Sequence, residues 1–149
     1  MHKAVKISEL VPLFEEILNK GGSVKFTPKG SSMRPMLNDT GDEVILKKKN
    51  NYKKYDIVLY RRRNSDVYVL HRIVRVKSDG TFTLCGDNQL LREHGISAGD
   101  IVGAVSFFRH NGKGSSVDDP SYKFYCRRLL LKKQLRWIVL KIKRTFRGK

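Results

Sequence analysis

The chain of 149 residues can bury one core and carry one appendage, which makes two separate domains an unfavourable interpretation. Its formal net charge of +17 favours nucleic acid, an anionic membrane or an acidic substrate as a partner, but 11 of the 31 basic residues lie in segment 120–149, which has no acidic residue. The two cysteines, Cys85 and Cys126, are far apart in sequence, which excludes a disulfide framework and a four-cysteine zinc site and favours a reducing compartment.

The first predicted element is an amphipathic helix within residues 1–22. Its apolar residues recur every three or four positions: Ile7, Leu10, Val11, Phe14, Ile17 and Leu18. Gly21 and Gly22 then favour the end of this helix. The segment lacks the continuous apolar core of a secretory signal, and no window approaches the ~18 apolar residues of a membrane span. We therefore expect the protein to be cytoplasmic and peripheral at a membrane surface, with a location on the extracytoplasmic face as the alternative.

Short runs rich in β-branched and aromatic residues follow, separated by polar turns. Six such runs are predicted to be strands: 23–28, 43–48, 56–60, 67–76, 81–85 and 101–108. Strands of this length and spacing predict a mainly β protein, either an antiparallel barrel or a folded sheet, and disfavour a βαβ protein.

The last part of the chain is predicted to be a linker over 109–121, which is polar and rich in Gly and Ser, followed by a helix over 122–149. This helix has one apolar stripe: Leu131, Leu135, Ile138, Val139, Ile142 and Phe146. Basic helices of this kind bind anionic membrane surfaces, bind partner helices or pack on their own domain. We expect an anionic membrane surface to contact the basic residues of the helix: Lys132, Lys133, Arg136, Lys143 and Arg147.

The candidate catalytic residues are a serine and a histidine. Ser32 lies in a Gly-Ser-Ser turn, where its backbone N–H can serve as an oxyanion donor, although such a serine pair can also merely solvate a loop. His71 alternates with Val69 and Ile73 on one face of a predicted strand, where burial favours the neutral, proton-accepting form. A purely structural histidine fits the same pattern.

Other chemistry has less support in the sequence. The chain has no phosphate-binding loop, no dinucleotide-binding glycine motif, no H-E-x-x-H and no G-x-S-x-G. Asp87, Glu93 and His94 are imaginable as metal ligands, but a polar turn accounts for them more simply. Cys85 at a strand end is better explained as a small buried residue than as a nucleophile.

Taken in order, several segments resemble the type I signal peptidase family. "GSSMRPML" from Gly30 resembles the nucleophile box, and "GDEVILKK" from Gly41 resembles the second box. "YDIVLYRR" and "VLHRIVRV" resemble the strands that lead to the general base, with His71 at the position of the bacterial lysine and of the histidine in the endoplasmic-reticulum-like branch. "CGDNQ" and "GDIVGAVSFF" resemble the acidic box and the last strand, so the similarity covers about residues 23–108.

The resemblance implies a signal-peptidase-like catalytic domain over 23–108, with Ser32 as the nucleophile and His71 as the base. It implies cleavage of an extended peptide or precursor protein after small residues, without a metal or cofactor. It also implies an oxyanion site and substrate groove formed by the nucleophile turn: Gly30, Ser31, Met33 and Pro35. Asp87 and Glu93 remain rival carboxylates to orient His71, and we favour Asp87 because its side chain is shorter and Arg92 could draw Glu93 outward.

The family expectation differs from this sequence at the N-terminus, where an amphipathic helix is predicted in place of a membrane anchor, as in relatives of the self-cleaving repressor proteases. The alternative to a peptidase is a non-catalytic module that binds nucleic acid or acts as a membrane-surface adaptor. Nucleic acid is disfavoured as a partner because no helix-turn-helix precedes the domain and the charge is concentrated in one tail.

Overall fold

The computed structural model of the chain describes residues 6–147 as two long helices and eight strands. Their order is α1 (Ile7–Asn19), β1 (Ser23–Phe26), β2 (Glu43–Lys47), β3 (Ile57–Arg61), β4 (Tyr68–Val76), β5 (Phe82–Cys85), β6 (Glu93–Ile96), β7 (Ile101–His110), β8 (Lys113–Ser116) and α2 (Pro120–Arg147). A single 3₁₀ turn, Ala98–Asp100, precedes β7.

The strands form one antiparallel sheet in the order β1-β2-β7-β3-β4-β5-β6, with β8 paired to β7. This confirms the mainly β, antiparallel prediction. Of the two sheet forms expected, the barrel is wrong: across residues 6–147 the sheet stays open, with β1 and β6 at its ends. The sheet therefore keeps free edges at which another strand can pair.

Apolar residues cover both faces of the sheet, because the side chains of each strand alternate between the two faces. On β3, Ile57 and Leu59 join the core cluster that contains α1, whereas Val58 and Tyr60 join the cluster on the other face. Helix α1 seals the first cluster with Val11, Phe14 and Leu18. The predicted helix within 1–22 is thus observed over Ile7–Asn19, and residues 1–5 lie outside the described part of the chain.

The linker predicted over 109–121 is wrong. Strand β7 continues to His110 and turns back through Asn111 and Gly112 into β8. Both turn residues have positive φ, 48° and 77°, which is the geometry of a two-residue Asn-Gly hairpin. Helix α2 then begins at Pro120, two residues before its predicted start.

Helix α2 is part of the domain at its beginning and free of it at its end. Tyr122 and Cys126 are buried in the same core cluster as α1. From Gln134 to Phe146, by contrast, every residue is exposed. Within the described residues, neither helix is long and apolar enough to cross a membrane.

Candidate active site

The turn after β1 presents Ser32 on a well-packed base. Gly30 turns the chain with φ of +90°, a conformation that L side chains rarely adopt. Met33 and Leu37 are buried directly after the serine, and the Leu37 N–H donates a 3.0 Å hydrogen bond to the carbonyl of Met33. Ser32 itself is half-buried, so its hydroxyl lies at the boundary between the core and the surface.

Ser32 is one wall of a largely apolar cavity of about 670 Å³. Helix α1 contributes Ile7, Leu10 and Phe14 to this cavity, and segment 26–30 forms one rim. Segment 66–70 forms the opposite rim, and Leu59 lies between the two. The predicted groove residues Gly30 and Met33 line the cavity with Ser32, whereas Ser31 and Pro35 are exposed and do not.

The cavity lies beside two strand edges that are free to pair. Among the described strands, β1, whose last residue Phe26 lines the cavity, lies at the end of the sheet and pairs with β2 alone. Strand β4 pairs with β3 from Tyr68 onward, but β5 covers its other edge only from Arg72. In the described structure, the first part of β4 therefore has one uncovered edge beside the cavity, where an extended chain can form β-type hydrogen bonds.

His71 is buried in the middle of β4, on the face that carries Val69 and Ile73. Its Nδ1 lies 3.1 Å from the Tyr60 hydroxyl and 3.7 Å from Oε1 of Glu93. Burial lowers the pKa of His71 below its ordinary value of 6.5, and the positive charges of Arg62 and Lys133 lower it further, against the opposing effect of Glu93. His71 is therefore a neutral base at neutral pH.

Arg62, the residue that follows β3, holds Glu93 beside His71. Arg62 donates from Nε to both carboxylate oxygens, at 3.0 and 3.1 Å, and from Nη2 to Oε1 at 2.6 Å. Burial alone would raise the pKa of Glu93, but the hydrogen bonds and charge of Arg62, with the nearby Tyr60 hydroxyl, hold this pKa below its ordinary value. Glu93 is therefore an anion that faces Nδ1 of His71.

The preference for Asp87 as the partner of His71 is not upheld by this geometry. Asp87 makes a two-point ion pair with Arg72, with Nε to Oδ1 at 2.8 Å and Nη2 to Oδ2 at 2.7 Å. The Tyr125 hydroxyl donates a further hydrogen bond to Oδ2 of Asp87 at 3.3 Å. Asp87 is thus committed to Arg72, while Glu93 is the carboxylate placed against His71.

Arg72 has no exposed surface and uses its remaining donors on three other parts of the fold. Its Nη2 donates to Sδ of Met36, in the serine turn, at 2.9 Å. Its Nη1 donates to the Tyr55 carbonyl, the Tyr122 hydroxyl and Sγ of Cys126, at 3.1, 2.7 and 2.9 Å. Burial alone would lower the pKa of Arg72, but the charge of Asp87 raises it. The guanidinium is a fixed positive charge that joins β4, the 86–88 turn and α2.

Gly86 connects the serine turn with the histidine strand. Arg72 on β4 pairs with Cys85 on β5, and the two strands are antiparallel, so His71 and Gly86 occupy the next pair of positions. On its other side Gly86 touches Ser32, since a Cβ added there would lie 2.7 Å from the Ser32 carbonyl oxygen and 3.1 Å from the Ser32 Cβ. The Asn88 N–H also donates a 2.8 Å hydrogen bond to the Ser32 carbonyl. The Ser32 hydroxyl and His71 do not form a hydrogen bond with each other, and His71 is not among the residues that line the cavity at Ser32.

Two further predictions concern residues near this turn. Lys133, expected on a membrane-facing surface, instead donates to the carbonyls of Gly86 and Gln89, the latter at 2.7 Å. His94, considered with Asp87 and Glu93 as a metal ligand, hydrogen-bonds to Thr83 instead. Among the residues that the structure describes, no group of three or more His, Cys, Asp or Glu side chains could hold a metal ion.

Tyr60, Arg62 and Arg72 are the site residues that the sequence reasoning missed. The strand alternation that puts His71 on one face also puts Arg72 on the other, inside the α1 core, so a buried counterion for Arg72 was to be expected. Tyr60 lies two residues beyond Val58, which pairs with His71 across β3 and β4. The strand pairing that brings them together is not visible in the sequence.

Comparison with known proteins adds no family to this geometry. No model of a known protein family matches the chain, and no curated protein matches it in sequence. The interpretation of the site therefore depends on its own residues: a serine turn at an apolar cavity, uncovered strand edges, and a buried neutral histidine beside an anionic carboxylate.

Proposed function

We propose that the chain is a serine endopeptidase of the signal-peptidase-like type, with Ser32 as the nucleophile and His71 as the general base. The observation that carries the proposal is the placement of Ser32 at a cavity between segment 26–30, which follows the edge strand β1, and the first part of β4, whose outer edge is uncovered in the described structure. A groove of this form suits an extended peptide, because backbone pairing accepts many sequences while small apolar recesses select alternate side chains. The resemblance of the serine turn to the nucleophile box supports cleavage after small residues.

In this mechanism the substrate lies between segments 26–30 and 66–70, with its scissile carbonyl at Ser32. The Ser32 Oγ attacks the carbonyl carbon, and its proton passes to Nε2 of His71. The backbone N–H of Ser32 donates to the oxyanion that forms. The protonated His71 then gives its proton to the leaving amine, and water hydrolyses the acyl-enzyme by the same steps.

The environment of His71 supports the base role. Burial, together with the nearby carboxylate of Glu93, raises the pKa of Tyr60, so its hydroxyl remains protonated. Nδ1 of His71 faces the Tyr60 oxygen at 3.1 Å and the Glu93 carboxylate at 3.7 Å, so we assign the single proton of the neutral imidazole to Nδ1. This arrangement leaves Nε2 unprotonated. The Ser32 hydroxyl and His71 are not hydrogen-bonded in the free protein, so the proposal requires that substrate binding brings them together.

The test is a comparison of Ser32→Ala with Ser31→Ala in purified protein. Each variant and the parent are incubated with peptides derived from a cellular proteome, and new termini are identified by mass spectrometry. We expect the parent and Ser31→Ala to cleave and Ser32→Ala to be inactive but folded, because Ser31 is exposed and only Ser32 lines the cavity. Equal cleavage by the parent and by Ser32→Ala would refute the proposal. Absence of cleavage by the parent would favour the non-catalytic alternative.

A further inference from the structure

Helix α2 packs on the domain with one face of its first half. The residues on this face recur at helical spacing and are buried or half-buried: Tyr122, Tyr125, Cys126, Leu129, Leu130 and Lys133. Their polar atoms are used internally, since Tyr122 and Cys126 accept hydrogen bonds from Arg72, and Lys133 donates to the carbonyls of the 86–89 turn. The docked face of α2 is therefore satisfied by the domain.

An exposed apolar stripe, here called the tail stripe, lies on the other side of the same helix. It consists of Leu131, Leu135, Ile138, Val139, Ile142 and Phe146, all of which are more than 40% exposed. At about 3.6 residues per turn these six side chains fall within an arc of about 100°, roughly opposite the docked face. The domain thus turns the tail stripe towards solvent, and residues 131–146 extend it over about 24 Å.

The charges that flank the tail stripe are all positive. Lys132, Arg136 and Lys143 follow one side of it, and Lys141 lies towards the other side. Segment 120–149 contains no Asp or Glu that could neutralise them. Apolar side chains in a line, bordered by Lys and Arg, are the pattern of a helix that lies in the interface of a bilayer.

We propose that the tail stripe docks on the surface of an anionic bilayer, with its apolar side chains among the acyl chains and its flanking Lys and Arg at the lipid phosphates. A second copy of the chain is a poorer partner, because two stripes brought together would also bring together flanking charges of the same sign. Nucleic acid would neutralise the charges but leave the stripe in water. This surface is independent of whether the chain is a peptidase.

The first experiment measures binding of the full chain to vesicles by flotation. We compare phosphatidylcholine alone with phosphatidylcholine mixed with phosphatidylglycerol. The parent should bind the mixed vesicles and lose affinity as salt rises, because salt screens charges at a surface. Equal affinity for both vesicle types would overturn the anionic-lipid proposal.

Substitutions within the helix identify the face that binds. Ile138→Asn and Ile142→Asn should each weaken binding about tenfold, since each removes one buried aliphatic side chain from the acyl region. Leu140→Asn is the matched control, because Leu140 has the same exposure as Ile138 within a few per cent, 44% against 42%, but lies on the side of the helix opposite the stripe. Lys143→Gln should weaken binding about fivefold to the mixed vesicles only.

Other partners of the tail stripe would give different results in these experiments. If Ile138→Asn binds vesicles as well as the parent does, or if Leu140→Asn is the more damaging substitution, the tail stripe is not the lipid surface. Sedimentation equilibrium that shows a dimer abolished by Ile138→Asn would assign the stripe to a second copy. Binding of duplex DNA in preference to the mixed vesicles would assign the tail to nucleic acid. Each of these four outcomes overturns the proposal.

Discussion

Replacement of Asp87 by asparagine should destabilise the fold strongly, because it leaves Arg72 charged and unpaired in the interior. The side chains of Arg72 and Asp87 are 0% and 1% exposed, so water cannot replace the lost carboxylate. Loss of one partner of a buried ion pair costs about 3–5 kcal/mol. Asparagine keeps one oxygen that can accept from Arg72, so we expect a loss of unfolding free energy near the lower end, about 3 kcal/mol.

Equilibrium unfolding in urea measures this loss as a lower transition midpoint with an unchanged slope. In thermal unfolding, about 3 kcal/mol corresponds to a Tm lower by about 6–12 °C for a chain of this size. Asp39→Asn is the matched control: Asp39 pairs with Arg34 at 2.8 Å, close to the 2.7 Å of the buried pair, but this pair is exposed to solvent. We expect the control to leave the midpoint unchanged.

The result that would refute this reasoning is a change in Asp87→Asn no larger than that in Asp39→Asn. A second readout separates stability from catalysis. Asp87→Asn assayed well below its transition should shift the pH midpoint of cleavage less than Glu93→Gln does, because Glu93 faces Nδ1 of His71 and the charge of Asp87 raises the His71 pKa more weakly. A shift in that pH dependence larger than the one caused by Glu93→Gln would restore Asp87 as the partner of His71.

Three other substitutions test the site. Gly86→Ala should abolish cleavage and lower stability, because the new Cβ would lie 2.7 Å from the backbone oxygen of Ser32; activity assays and thermal unfolding check this. The kcat/KM for cleavage should rise with pH, and the midpoint of this rise should lie below 6.5 because burial lowers the pKa of His71. Glu93→Gln should lower the midpoint further, because the carboxylate of Glu93 raises the pKa of His71. Tyr60→Phe should lower kcat about tenfold or more in steady-state assays, because it removes the hydrogen bond to Nδ1 of His71, and loss of a hydrogen bond to a group that becomes charged costs about 1.5–3 kcal/mol. A parental kcat would show that Tyr60 does not support His71 as the base.

Much of the sheet could be predicted because its strands are rich in β-branched and aromatic residues. All six runs interpreted as strands are strands, with ends shifted by one or two residues. The two strands that were missed, β6 and β8, read "EHGI" and "KGSS", and neither shows an apolar alternation. Strand β8 forms because the Asn-Gly turn returns it onto β7, so pairing rather than composition determines it.

The error at Asp87 has a physical origin that the sequence contains only in part. The choice between the two carboxylates was argued from side-chain length and from Arg92 beside Glu93, which are local features. The deciding partners are Arg62, which is 31 residues from Glu93, and Arg72, which is 15 residues from Asp87. Arginine selects carboxylates by two-point geometry, and that geometry exists only after the strands have paired.

The buried pair of Arg72 and Asp87 explains why helix α2 is not a separable appendage. Strand β4 turns His71 towards Glu93 on one face and Arg72 towards Asp87 on the other, and α2 completes the second arrangement with Tyr122 and Cys126. Removal of residues 122–149 would therefore take the partners Tyr122 and Cys126 from the buried guanidinium of Arg72 and unfold part of the domain. The same deletion would also remove the tail stripe, so it could not test lipid binding alone. Because the exposed half of α2 begins only at Gln134, substitutions beyond that residue separate membrane binding from the integrity of the site. The same helix thus holds the 86–89 turn with one face, through Lys133, and exposes its apolar stripe on the other.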